Sequence, residues 1–290
     1  MDAEDQVRLN AVRTVADYVC CTTTHHVDLG PLLRQLCTRL RDKKPDVRKA
    51  AFLGAGRIYR HLLKVWGLEW TPRQRTRAGW IPSAVLRCYF HPQTDMRYFV
   101  DHVLDDLILP ATYSPEERTD VLFRNVLPGL DTNGLKALHL MLRDKVMFRK
   151  HMATYFSQRS KKNHNTQKEV ALLAKRLGAD LKDSYATHLG KMILLGGSAK
   201  RQQDKSSVIC AHLQALARTD ASYEDMRKAK VGLRKLAHMP RQQKDYSLCL
   251  LYLQQKLSFR SVAPEVLSAV LGQLVGDDGL GEEEEASTFE

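Results

Sequence analysis

Apolar residues recur every three or four positions along nearly the whole chain, and no hairpin dipeptide separates alternating apolar runs. Val7, Ala11, Val15 and Val19 form one such stripe, and Leu32, Leu33, Leu36 and Leu40 a second. A third runs through Val47, Ala50, Ala51, Gly54, Ile58 and Leu62, and a longer one through Leu135, Leu138, Leu142, Val146 and Met152, ending near RSKKNHN. Ser114-Pro115-Glu116-Glu117 reads as a capping box with proline in the first helical position. Asn165 is placed to cap a helix over Val170, Leu173 and Leu177, with Gly178 as its stop. Further helices fit residues 180–195, 204–218, 222–238, 245–258 and 264–275. The chain therefore reads as all-α.

Helix pairs follow one another at spacings of roughly 35 to 45 residues, the period of helical hairpins that bury their apolar faces only by stacking. The expected architecture is an α-solenoid of roughly six or seven hairpins over residues 1–275. Residues 276–290, GDDGLGEEEEASTFE, have no apolar stripe and a run of like charge, and are expected to be a disordered acidic tail.

The stretch LRDKKPDVRKAAFLGAGRIYRHLL, residues 40–63, tests what such a repeat is for. Gly54-Ala55-Gly56 lacks the lysine and hydroxyl residue of a phosphate loop, and GGSAKRQQDK at 196–205 lacks its spacing. Neither binds a nucleotide on this reading; the two glycines instead let a neighbouring helix approach. The stretch is similar to a HEAT-type repeat: a Leu-rich first helix, Asp42 in the turn, Pro45 opening the second helix, then Val47, Arg48 and Ala51. Proline presets the helical angle and wastes no N–H, Val47 and Ala51 point at the partner helix, and Asp42 and Arg48 are expected to pair across the turn. Arg41, Lys43, Lys44 and Lys49 are left as a solvated edge.

A net charge of +12 favours an acidic partner. Residues 31–80 hold ten more basic than acidic residues and residues 143–176 eight more. Arg73, Arg75 and Arg77 alternate in an expected loop between Trp70 and Trp80 and, with Lys43 and Lys44, are the candidates for weak, non-specific contact with nucleic acid. No membrane partner is expected, because no apolar run approaches the ~18 residues a span needs, and the acidic N-terminus is no secretory signal. Six scattered cysteines without a C-x-x-C suggest free thiols in a reducing compartment. CCTTTHH at 20–26 has no second ligand pair to close a zinc site. Nothing nominates a catalytic pair, a metal or a cofactor.

Asp42-Lys43-Lys44, Val47-Arg48-Lys49, Ala51, Gly54 and Tyr59 together resemble the central repeats of the "precocious dissociation of sisters" family of cohesin-associated regulators. The likeness continues through YFHPQTDMRYFVDHVLDDLILP (89–110) and LDTNGLKALHLMLRDKVMFRKHM (130–152), and more loosely through LRKLAHMP (233–240) and the helix from Tyr246 to Leu257. It covers most of residues 5–275. Family members are several times longer, so the chain corresponds to a fragment, a truncated gene product or a short relative. The resemblance implies a non-enzymatic, nuclear, chromatin-associated scaffold that docks on the kleisin subunit of cohesin, alongside other cohesin-associated regulators. On the best-matching segments Tyr98, His102, Lys136 and Arg143 are the expected partner contacts. A basic scaffold gripping nucleic acid and a solenoid carrying cargo peptides are the alternatives.

Overall fold

The computed structural model describes residues 3–21, 29–92, 94–110, 112–161, 164–180, 190, 193–194, 200–218, 220–239 and 244–257. Among them every regular element is helical and no strand occurs. In chain order these are α1 (Ala3–Cys21), α2 (Gly30–Thr38), α3 (Pro45–Trp66), α4 (Pro72–Gln74), α5 (Ile81–Leu86), α6 (Thr94–His102) and α7 (Pro115–Asp120). Then come α8 (Thr132–Arg159), α9 (His164–Asp180), α10 (Lys200–Ala217), α11 (Tyr223–Ala237) and α12 (Lys244–Leu257). Widened π-type turns extend α4, α6 and α7 through residues 75–79, 103–108 and 121–126. The expected helix over 264–275, most of that over 180–195, and the acidic tail lie outside the described residues.

Local chemistry sets the helix ends. Pro45 is the first helical residue of α3, and Gly67 at its end has φ 72, a left-handed conformation that a side chain resists. The Ser114 hydroxyl accepts from the Glu117 N–H while the Glu117 carboxylate accepts from the Ser114 N–H, completing the expected capping box. Asp131 caps α8 by accepting from the Gly134 N–H at 2.7 Å. By contrast α9 begins at His164 and runs to Asp180, so Asn165 and Gly178 lie inside it and do not bound it.

The repeat turn differs in detail from the expected pair. Arg48 donates from Nη1 to the carbonyl oxygens of Asp42 and Lys43, both at 3.0 Å, and so clasps the turn by its main chain. The Asp42 carboxylate takes Arg8 of α1 at 3.1 Å and Arg39 at 3.6 Å. Val47 and Ala51 are fully buried against the partner helices, as their positions required. The two glycines do admit neighbours: Gly54 faces Ala16 and Leu36, and Gly56 faces Val103 and Leu107.

Two of the expected stripes are a residue or more out of register. On α1 the buried face is Asp5, Leu9, Val12, Ala16 and Val19, and Val7 is 67% exposed. On α8 the buried face is Gly134, Ala137, Met141, Lys145, Phe148, Met152, Tyr155 and Phe156, leaving Leu135 and Val146 outside. The apolar core falls into two successive clusters. The first gathers residues from Leu9 to Met141 and the second from Phe148 to Leu257. Both share α8, and the buried Lys145 sits where one gives way to the other.

Candidate partner-binding site

The long helix α8 has an inner face that joins the two cores and an outer face that nothing in the described residues covers. Its outer face follows from its spacing. Lys136, Arg143 and Lys150 are one heptad apart, so they lie nearly in line along about 21 Å of helix. All three are exposed. Exposed His139 falls between the first two, and exposed Val146 and Met147 between the last two. Leu135, 48% exposed, adjoins Lys136 at one end. No ion pair or side-chain hydrogen bond to another described residue holds the Lys136, Arg143 or Lys150 side chain. The result is a narrow stripe of cations interleaved with apolar side chains, suited to an acidic amphipathic segment laid along the helix.

The inner face is fixed by charge as well as packing. Lys145, 1% exposed, reaches Asp101 at 3.2 Å and donates to the Gln255 carbonyl oxygen at 2.6 Å. Asp105 is held by Lys230 of α11 and by Arg118 of α7 at 3.5 Å. Asp106 takes Lys230 at 3.1 Å, His102 at 2.8 Å, the Gln255 amide at 2.7 Å, and Arg234. Lys256 of α12 adds a contact to Asp101 at 3.7 Å. Burial alone would raise both carboxyls. For Asp106 the His102 hydrogen bond and the Lys230 and Arg234 charges outweigh it and hold the group well below the usual carboxylate range. Lys230 does the same for Asp105, helped by Arg118 and opposed by Asp106. Burial lowers Lys145, with Asp101 pulling the other way. These side chains tie α6 to α7, α8, α11 and α12 and so keep α8 seated with its outer stripe outward.

The expected contact residues divide between these two faces. Lys136 and Arg143 belong to the outer stripe. Tyr98 and His102 face inward: the Tyr98 ring stacks on His102 and on Tyr252 of α12, centroids 6.1 Å apart in each case. His102 hydrogen-bonds Asp106, and burial raises the Tyr98 phenol. These contacts join α12 to α6 and leave both side chains half-buried. Sequence reasoning missed His139, Val146, Met147 and Lys150 as members of the outer stripe; the heptad spacing of Lys136, Arg143 and Lys150 was the signal that could have found it.

The residues singled out for nucleic acid lie on separate elements, Lys43 and Lys44 just before α3 and Arg73, Arg75 and Arg77 on α4 and the turns that extend it. Residues 72–79 are helical turns and not a loop. Within them Arg73 and Arg75 are exposed and Arg77 is half-buried, and Arg75 donates to the Trp70 and Arg124 carbonyl oxygens at 3.0 and 3.2 Å. Lys44 pairs with Asp5 at 2.9 Å, and Lys43 is exposed. Proline at the first turn and the Thr71–Gln74 capping box make a helix start here, a signal present in the sequence as Thr-Pro-Arg-Gln. Burial pushes the Cys37 and Cys249 thiols up to about 12, away from the thiolate form. No cluster of three or more candidate metal ligands occurs among the described residues.

Comparison with known proteins gives a consistent result. The family described as "Sister chromatid cohesion protein PDS5 protein" matches residues 1–289. A sister chromatid cohesion protein PDS5 homolog B-B from Xenopus laevis is 30% identical over 122 residues, covering 42% of this chain and 8% of that protein. The PDS5 homolog A of Homo sapiens is 26% identical over 155 residues, covering 52% of this chain and 11% of that protein. The chain thus spans about a tenth of the length of these curated relatives. A chain in the structure of a Pds5–Scc1 complex superposes with a TM-score of 0.72 at 14% identity, over 96% of this chain and 44% of that one. That likeness establishes the fold as a HEAT-repeat α-solenoid.

Proposed function

The chain belongs to the sister chromatid cohesion protein PDS5 family, and from that premise we propose that it is a non-enzymatic scaffold that docks the kleisin subunit of cohesin and modulates sister-chromatid cohesion and cohesin release. The observation that carries the docking is the outer stripe of α8. A kleisin segment with carboxylates spaced to meet Lys136, Arg143 and Lys150, and apolar residues to cover Val146 and Met147, would bury a mixed strip by the helix-on-helix mode of recognition. Action there places the protein in the nucleus, on chromatin. Support comes from the family membership and from the fold shared with a Pds5 chain solved in complex with Scc1.

Calorimetric titration of the full chain with a recombinant N-terminal region of its kleisin, at low and moderate salt, tests this reading beside a duplex DNA of similar charge. Micromolar or tighter binding that largely survives the salt step is expected for the kleisin. The Lys136→Glu, Arg143→Glu double variant should lose at least about tenfold of that affinity with an unchanged melting temperature, because both side chains are exposed. Heat from DNA alone, lost with salt, would instead make the stripe a phosphate-backbone contact.

A further inference from the structure

A second basic concavity lies far from α8 along the sequence, between α1 and α3. Arg13 of α1 and Lys49 and Arg57 of α3 rim a groove of about 460 Å³, whose floor is Leu9, Ala16, Ala50, Leu53 and Gly54. The groove has this depth because Gly54 lets α3 close on α1: a Cβ there would lie 3.2 Å from the Cβ of Ala16. Arg57 is paired with Asp17 at 2.9 Å. Arg13 and Lys49, both exposed, have no ion-pair partner among the described residues. Asp46 is the one acid in the lining. The site therefore presents three cations, one of them paired with Asp17, against a single carboxylate over an apolar floor.

We infer that this groove is a docking site for an acidic peptide and that its occupant is the chain's own acidic segment, residues 277–290. The complementarity is specific in kind. That segment holds Asp277, Asp278, Glu282, Glu283, Glu284, Glu285 and Glu290 and no basic residue, with Leu280 and Phe289 as apolar side chains for the floor. The stretch from Leu257 to Asp277 supplies the reach, spanning up to about 70 Å when extended. Docked there, the segment neutralises the most basic part of the N-terminal repeats and screens it from polyanions. The contact is electrostatic and intramolecular, so it weakens with salt but not with dilution.

Zero-length cross-linking of the full chain with a carbodiimide, which joins an amine directly to a carboxylate, reads this out by mass spectrometry. The expected product joins Lys49 to one of Glu282–Glu285 at higher yield than any product joining those carboxylates to Lys43, Lys64, Lys136 or Lys150. Arg13→Glu leaves the Lys49 amine in place but reverses the neighbouring charge, and should lower that product about fivefold without lowering the melting temperature. Replacing Glu282–Glu285 with Gln should abolish the product and raise affinity for duplex DNA at low salt. Equal yields over all exposed lysines, or a Lys49 product indifferent to Arg13→Glu, would overturn the inference. Products joining labelled to unlabelled chains in a mixed isotopic sample would assign the groove to a second copy, and so overturn the intramolecular occupant.

Discussion

At Gly56 a single hydrogen atom separates α3 from the π-type turn that extends α6. A Cβ built there would lie 2.6 Å from Leu107 Cδ1 and 3.0 Å from Val103 Cγ1, in the middle of the first core. Alanine gains about 1 kcal/mol of helix propensity over glycine, but overpacking costs about 1–3 kcal/mol. Gly56→Ala should therefore destabilise by up to about 2 kcal/mol, seen as a lower urea midpoint at an unchanged slope. Gly54 makes the contrast: its nearest contact would be Ala16 Cβ at 3.2 Å, which a shift of tenths of an ångström relieves. There the propensity gain and the strain nearly cancel, and Gly54→Ala should change stability by less than about 1 kcal/mol. A loss at Gly54 equal to that at Gly56 would mean that α1 cannot shift. The Gly-x-Gly that resembles a nucleotide loop thus serves two different helix contacts, and each glycine answers to its own neighbour.

At the scale of the element, α8 depends on its first turn. Asp131 accepts from the Gly134 N–H at 2.7 Å and from the Ser83 hydroxyl at 2.8 Å, and pairs with Arg87 at 3.2 Å. Asp131→Ala removes the cap and should cost about 1–2 kcal/mol, with Asn recovering most of it; equal loss in both variants would assign the effect to Arg87 instead. The same helix shows how far sequence alone can see. Its end was legible, because the polar run from Arg159 is a local signal. Its buried face was not, because Leu135 and Val146 compete with Ala137, Met141 and Phe148 for the apolar stripe, and a lysine occupies the inner face at position 145. Periodicity ranks faces by hydrophobicity, and Lys145 is buried for a reason that Asp101 and the Gln255 carbonyl supply from elsewhere in the chain. On α1 the failure is the same: Asp5 is buried beside Arg8 and Lys44 while Val7 faces outward. Tyr98 and His102 were singled out as amphipathic side chains on a well-matched segment; only the packing of α12 shows them turned inward.

Across the whole molecule the two apolar cores are joined by ionised groups, and that makes stability depend on pH in a defined direction. Asp106 is 7% exposed at its side chain and faces His102 on its own helix, Lys230 and Arg234 on α11, Gln255 on α12, and the neighbouring carboxylate Asp105. Its carboxyl is held below the usual range in the fold, against about 3.9 in an unfolded chain. A group depressed by folding contributes stability that is present above the unfolded pKa and lost as pH falls through the folded one. The native chain should therefore lose melting temperature progressively from about pH 4 downward. Asp106→Asn keeps the shape and removes the charge, leaving Lys230 buried with one partner fewer, at a cost of about 3 kcal/mol at neutral pH. Because the variant has no carboxylate left to protonate at this position, the gap between its melting temperature and that of the native chain should narrow as pH falls from 4 toward 2. A gap that stays constant from pH 7 to pH 2 would show that the seam does not draw on the charge of Asp106, and would leave its hydrogen bond to Gln255 as the part that matters. The contrast is sharpest by hydrogen exchange. A seam that couples the cores through charge should, in Asp106→Asn, release protection in α11 and α12 before α1 and α3, since the fully buried apolar residues of the first core run no further along the chain than Met141.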